Sequence, residues 1–183
     1  MSGPSFEVFT IDLGALARAV GSGDRGLIAA VARPDDPPEV RAATSAILDR
    51  GGRVAGGAPL ASARVVLRLC RAIGRQIDAN TADVLGPESL RAAEAVVAPL
   101  RLEASVRDLV ATDVVPIPGM PISGEMRFGT IDAGRVRRAY AEWASARPGH
   151  PSDDDADSLL AEMLDWLEVA SARGESLVGV FWY

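Results

Sequence analysis

Along most of this chain the apolar residues recur every three or four positions, the spacing of a helix with one buried face. Only near the two ends do they alternate or run together as in a strand. Phe6, Val8 and Thr10 alternate with Glu7 and Phe9 and lead into Ile11, which predicts a short strand. Asp12 is placed to cap a helix carrying Leu13, Leu16, Ala17 and Val20 on one face, and Asp24 a second carrying Leu27, Ile28 and Val31, stopped by Pro34. Pro38 suits the first position of a third helix, where Val40, Ala43, Ile47 and Leu48 form the stripe and Gly51-Gly52 the end. The glycine-rich segment from Gly51 to Ala58 reads as a loop. Leu60 to Ile77 is the longest periodic stretch: Ala63, Val66, Leu67, Cys70, Ile73 and Ile77 keep helical phase, and Val65, Leu69 and Ala72 widen the apolar surface. This predicts a central core helix buried on more than one side.

Two further helices are predicted from Pro87 to Ala98 and from Leu100 to Ala111, separated at Pro99. Pro116, Pro118 and Pro121 then exclude regular helix and predict an extended crossing, from Val114 to Ile122, whose apolar residues pack on the domain. Arg127 to Ile131 is a short strand or turn. Asp132 caps a helix with Val136, Ala139, Tyr140 and Trp143 inward, and a polar loop from Arg147 to Asp157 follows. Leu160, Met163, Leu164, Leu167 and Ala170 mark the last helix, Gly174 stops it, and Leu177 to Tyr183 run apolar. A terminus that hydrophobic has to be tied into a sheet or a partner. The expected fold is α+β and mostly helical: a small sheet including the N- and C-terminal strands, packed by about six to eight helices in a single globular domain over residues 1–183.

Composition narrows the function more than the fold. All nineteen basic residues are arginine, so neither a Schiff-base lysine nor a phosphate-loop lysine is available. The net charge of −6 disfavours nucleic acid as a partner. Cys70 is the only cysteine, which rules out an intramolecular disulfide and suits a reducing compartment. Met1 to Phe9 lacks the basic residues and apolar core of a leader, and no apolar run is long enough to cross a membrane. A cytoplasmic protein is expected, with another protein as its partner and no nucleic acid or membrane; the oligomeric state stays open. Gly21-Ser22-Gly23-Asp24-Arg25-Gly26 has dinucleotide-loop spacing but follows a helix instead of a strand. Phosphate-loop, HExxH, GxSxG and CxxC motifs do not occur, and no cofactor or metal is predicted.

Several groups carry candidate chemistry. Arg64, Arg68, Arg71 and Arg75 are spaced four, three and four apart, which puts four guanidinia on one face of the central helix. Such a ridge pairs with carboxylates or phosphates of a partner, or is simply solvated. Asp153, Asp154 and Asp155 either bind a divalent cation, though without the EF-hand pattern, or lure a basic partner, or simply favour a helix N-terminus. Trp182 and Tyr183 close the last strand, where an outward aromatic at a sheet edge would anchor a partner. Tyr140, Trp143 and Trp166 line an apolar pocket or fill the core. His150 reads as a loop residue and Cys70 as a small hydrophobe.

Several stretches together resemble a known family: the initial strand, then Ile11-Asp12-Leu13-x-Ala15-Leu16 with Val20-Gly21-Ser22-Gly23-Asp24; Leu67-x-Leu69-Cys70-Arg71-x-Ile73-Gly74; the proline crossing and Phe128-Gly129 before a capped helix; and Trp166-Leu167-x-x-Ala170-x-x-x-Gly174-x-x-Leu177-Val178-Gly179 with a terminal aromatic. The family is an uncharacterised bacterial one, common in actinobacteria and known as a domain of unknown function, and the layout is also similar to that of the YfbM-like proteins. The resemblance implies a fold and transfers no catalytic residue. With the missing catalytic constellation and the acidic charge, it favours a non-catalytic interaction protein, in its most concrete form an immunity or antitoxin protein that neutralises a partner by occlusion. The alternative is a small-molecule-binding protein or biosynthetic enzyme, with a pocket near the proline crossing and the terminal aromatics.

Overall fold

The two ends of the chain meet in the middle of one sheet. The computed structural model describes residues 5–50, 58–79, 87–110, 114–117, 119–120, 123–146, 148, 151 and 154–182. In it, β1 (Ser5–Ile11) pairs antiparallel with β4 (Ser176–Trp182), Phe6 opposite Phe181 and Ile11 opposite Ser176. β2 (Arg75–Ala79) and β3 (Met126–Ile131) complete an antiparallel sheet of order β2-β1-β4-β3. Both central strands are covered on both faces, so they read as near-continuous apolar runs. The last strand is therefore central, and Trp182 does not stand on a sheet edge.

Helices cover the two faces in sequence order. α1 (Leu13–Ala19), α2 (Arg25–Val31), α3 (Pro38–Leu48) and α4 (Pro59–Ile73) pack with Phe9, Ile11, Phe128, Val178 and Val180. α5 (Pro87–Val97), α6 (Arg107–Val110), α7 (Ala133–Ala146) and α8 (Asp154–Arg173) pack with Phe6, Val8, Ile131 and Leu177. Among the described residues, eight α-helices around a small sheet that holds both terminal strands make the α+β architecture expected. The predicted caps are in place: Asp12 accepts from the Gly14 N–H at 2.7 Å, Asp24 from Gly26 at 2.8 Å and Asp132 from Gly134 at 2.9 Å.

Thr10-Ile11-Asp12-Leu13-Gly14 and Thr130-Ile131-Asp132-Ala133-Gly134 form a strand-to-helix repeat that periodicity alone does not reveal. The strands carrying them, β1 and β3, flank β4. Ile131 and Thr10 both stand opposite Leu177, so the two copies are offset by one residue. That offset turns Ile11 to one face and Ile131 to the other, and sends α1 and α7 to opposite sides of the sheet.

Two elements differ from the expectation. The central helix ends at Ile73, and Arg75 begins an edge strand, so only Arg64, Arg68 and Arg71 share the helix. Gly74 lies so close between the end of α4 and β1 that a Cβ would sit 2.7 Å from the Cys70 carbonyl oxygen and 3.0 Å from that of Thr10. Second, the helix predicted from Leu100 is a 3₁₀ turn (Ala98–Leu100), irregular chain and the single turn of α6, because Arg101 takes the left-handed conformation at φ 52°. Arg127 to Ile131 lies in β3, the strand of the two readings the sequence left open. The described part of the proline segment contains neither helix nor strand, and Ile117 and Met120 are buried against the layer of α1 to α4.

Candidate functional site

Every third or fourth residue of α4 on its outer side is an arginine, and this row forms one wall of an open cleft of about 430 Å³. Arg64, Arg68 and Arg71 stand there with Leu60 and Leu67 at their base. Arg33, just after α2, faces the cleft, and Glu125, Met126 and the indole of Trp182 close it from the ends of β3 and β4.

The four arginines are not equivalent. Arg68 is gripped by Asp36: Nη1 and Nη2 each donate to a different carboxylate oxygen at 2.6 Å, and Nη1 also donates to the Val31 carbonyl at 3.0 Å. Asp36 is buried, and it also accepts the Arg33 backbone N–H at 2.8 Å, so one carboxylate ties the turn after α2 to α4. The hydrogen bonds from Arg68 hold the Asp36 carboxyl down at about 2, against the opposing pull of burial. Arg71 is braced by Glu7, which β1 presents toward α4 and which is only 6% exposed; Nε donates at 3.0 Å and Nη2 also bonds the carboxylate. Arg33 and Arg64 have exposed guanidinia with no hydrogen bond or ion pair among the described residues. The cleft thus offers two braced cations and two, Arg33 and Arg64, whose forks make no hydrogen bond or ion pair among the described residues, with the charge of Asp36 also acting on Arg33 and with an aromatic wall. Its lining holds many N–H donors and one carboxylate, Glu125; among the described residues no serine, threonine, cysteine, histidine or tyrosine lines it. That inventory suits binding of an anion better than proton or acyl transfer.

The other residues singled out from the sequence lie elsewhere. Arg75 is exposed at the start of β2. Trp143 is fully buried and donates to the Ala104 carbonyl at 2.8 Å. Trp166 is buried against Phe6, ring centroids 5.8 Å apart, and its N–H donates to Asp78 at 3.0 Å. Tyr140 is half-buried in the same cluster, across the sheet from Trp182. Asp154 and Asp155 are exposed in the first turn of α8. Asp153, Tyr183, His150 and residues 51–57 of the glycine-rich segment lie outside the described residues. Cys70 is completely buried, and burial first, then the charge of Glu7, pushes its thiol up to about 12, so it is no nucleophile at neutral pH. Among the described residues no group of three or more metal-ligating side chains is arranged to hold a metal ion, and no helix is long and apolar enough to cross a membrane.

Arg33, Asp36, Glu7 and Glu125 were not singled out from the sequence. Glu7 left a readable signal, a lone carboxylate inside an apolar strand run. The other three depend on tertiary contacts that no local pattern encodes. Comparisons with curated proteins and with solved structures return no match. A family model matches residues 3–182, and the chain belongs to the family described as Domain of unknown function (DUF7691).

Proposed function

We propose that this is a non-catalytic interaction domain whose contact surface is the arginine cleft, and that it receives an anionic group of a protein partner. One observation carries the reading: Arg33 and Arg64 stand unpaired beside Arg68 and Arg71, which buried carboxylates hold in place, around an open cleft walled by Trp182. Bracing fixes two guanidinia before a partner arrives, which lowers the ordering cost of association. Arginine and tryptophan are also the side chains that most often dominate binding energy at interfaces. The most concrete form of this role is an immunity or antitoxin protein of the bacterial cytoplasm that covers the working surface of its target. In that form the cleft meets acidic groups, while the exposed acids at the start of α8, on the opposite layer, are free to meet basic ones.

A small-molecule reading has one observation in its favour. Met126 and Trp182 place the cleft beside the segment that follows the proline crossing, and its volume lies within the range of ligand pockets. Capture from a lysate of the native host at low salt separates the two. The interaction reading expects a protein retained by the wild-type chain and retained about tenfold less by the folded Arg33→Gln/Arg64→Gln variant, equivalent to a loss of about 1.4 kcal/mol. Equal retention by both chains, or no retained protein at all, overturns it.

A further inference from the structure

We infer that the group this cleft takes is a phosphate monoester in its dianionic form, held between the guanidinia of Arg33 and Arg64 and stacked through its organic part on Trp182; this rests on the cleft being the binding surface. The two free forks are the reason. Arg68 has committed both terminal nitrogens to Asp36, and Arg71 has committed Nε and Nη2 to Glu7, so the charge of each is met by a buried carboxylate. Arg33 and Arg64 keep whole forks for a ligand, with the charge of Asp36 acting on Arg33 and Glu39 lining the adjoining cleft that Arg64 shares. A carboxylate offers one charge and two oxygens, which a single fork satisfies. A phosphate monoester offers three oxygens and a charge of about −1.5 to −2 at neutral pH, which two forks satisfy together. Arginine is also the side chain whose planar fork matches phosphate geometry. The charged groups around the ligand position are Arg33, Arg64, Arg68, Arg71 and Glu125 on the lining, with Asp35, Asp36 and Glu7 behind them. Glu125 is the one carboxylate on the lining and opposes a second negative charge.

Phenyl phosphate and phenylacetate, which present phosphate and carboxylate on the same ring, provide the test by calorimetric titration of the full chain. The phosphate is expected to bind about tenfold tighter than the carboxylate at about pH 7.5, and to weaken as pH falls through about 6, where the dianion takes up a proton. Phenylacetate over the same pH range reports any change that comes from the protein. Arg33→Gln and Arg64→Gln, both at exposed positions, should each abolish the preference for phosphate, and Glu125→Gln should strengthen it. A phosphotyrosine peptide that binds more tightly than phenyl phosphate marks a modified partner side chain as the source. Equal binding of the two marks a free phosphorylated small molecule. Equal affinity for phenyl phosphate and phenylacetate, both lost in the arginine variants, overturns the phosphate assignment and leaves the cleft as an anion site. Phosphate binding that survives both arginine variants overturns the placement. Binding of neither probe, while partner capture still depends on Arg33 and Arg64, overturns the phosphate chemistry alone.

Discussion

A buried carboxylate is costly unless something answers its charge, and this protein shows both outcomes. Asp36 and Glu7 are answered by arginines, and their burial fixes the cleft wall. Glu162 on α8 is not: its Oε2 is buried without a hydrogen-bond partner among the described residues. Burial first, then the charges of Asp78 and Asp165, raises its carboxyl to about 7. The sign follows from the protonated form being favoured in the folded state. The stability tied to this group is fully present below the ordinary glutamate value and is lost as pH rises through about 7. Glu162→Gln should therefore be more stable than wild type at about pH 8, by about 1 kcal/mol because the half-exposed side chain is partly screened, with the advantage gone at about pH 4.5. Urea unfolding at both pH values measures this; an advantage independent of pH would contradict it. Asp36 works in the opposite direction, its contribution being present above the ordinary aspartate value and lost only as pH falls toward about 2. Nothing in the local sequence separates these carboxylates. Asp36 lies in a run of acids and prolines, Glu162 in an amphipathic helix, and only the fold decides which one meets an arginine.

Among the elements, the short α6 shows how closely a helix can be set on a sheet. Gly129 and Gly179 face each other across β3 and β4, and the backbone of α6 rests on the pair. A Cβ at Gly179 would lie 2.4 Å from the Leu109 carbonyl oxygen, and one at Gly129 2.2 Å from that of Asp108. Gly179→Ala must lift α6 from the sheet and should cost about 1–3 kcal/mol, the usual range for overpacking. Gly124→Ala, with nothing within 4 Å of the new methyl, should stay within about 0.5 kcal/mol of wild type. Thermal unfolding of the two variants checks the contrast, and equal effects would count against the close approach. At this scale the chain was readable where one signal dominated: capping aspartates, helical stripes, and an apolar terminal strand. It was misread where two signals agreed by accident. Ile77 keeps the helical phase of Ile73, so the periodicity runs on through Gly74, although β2 forms by pairing with β1, far away in sequence. The helix expected from Leu100 failed for a related reason, since a left-handed Arg101 has no sequence signature.

Taken whole, the molecule is two helical layers on a sheet whose central strands come from the two ends of the chain. This arrangement brings Trp182 to the arginine row of α4 and leaves Tyr140, Trp143 and Trp166 in the other layer. The row itself was legible as spacing. The cleft was not, because it needs the turn after α2, the start of β3 and the end of β4 to converge on that row. Arginine-directed covalent footprinting tests the central claim most directly, since every basic residue of the chain is an arginine and each reports on its own surroundings. With the captured partner bound, Arg33 and Arg64 should lose reactivity by about fivefold or more, a change of about 1 kcal/mol in local accessibility, while Arg18 and Arg173 stay as reactive as in the free chain. Unchanged reactivity of Arg33 and Arg64, with protection appearing elsewhere, would contradict the account.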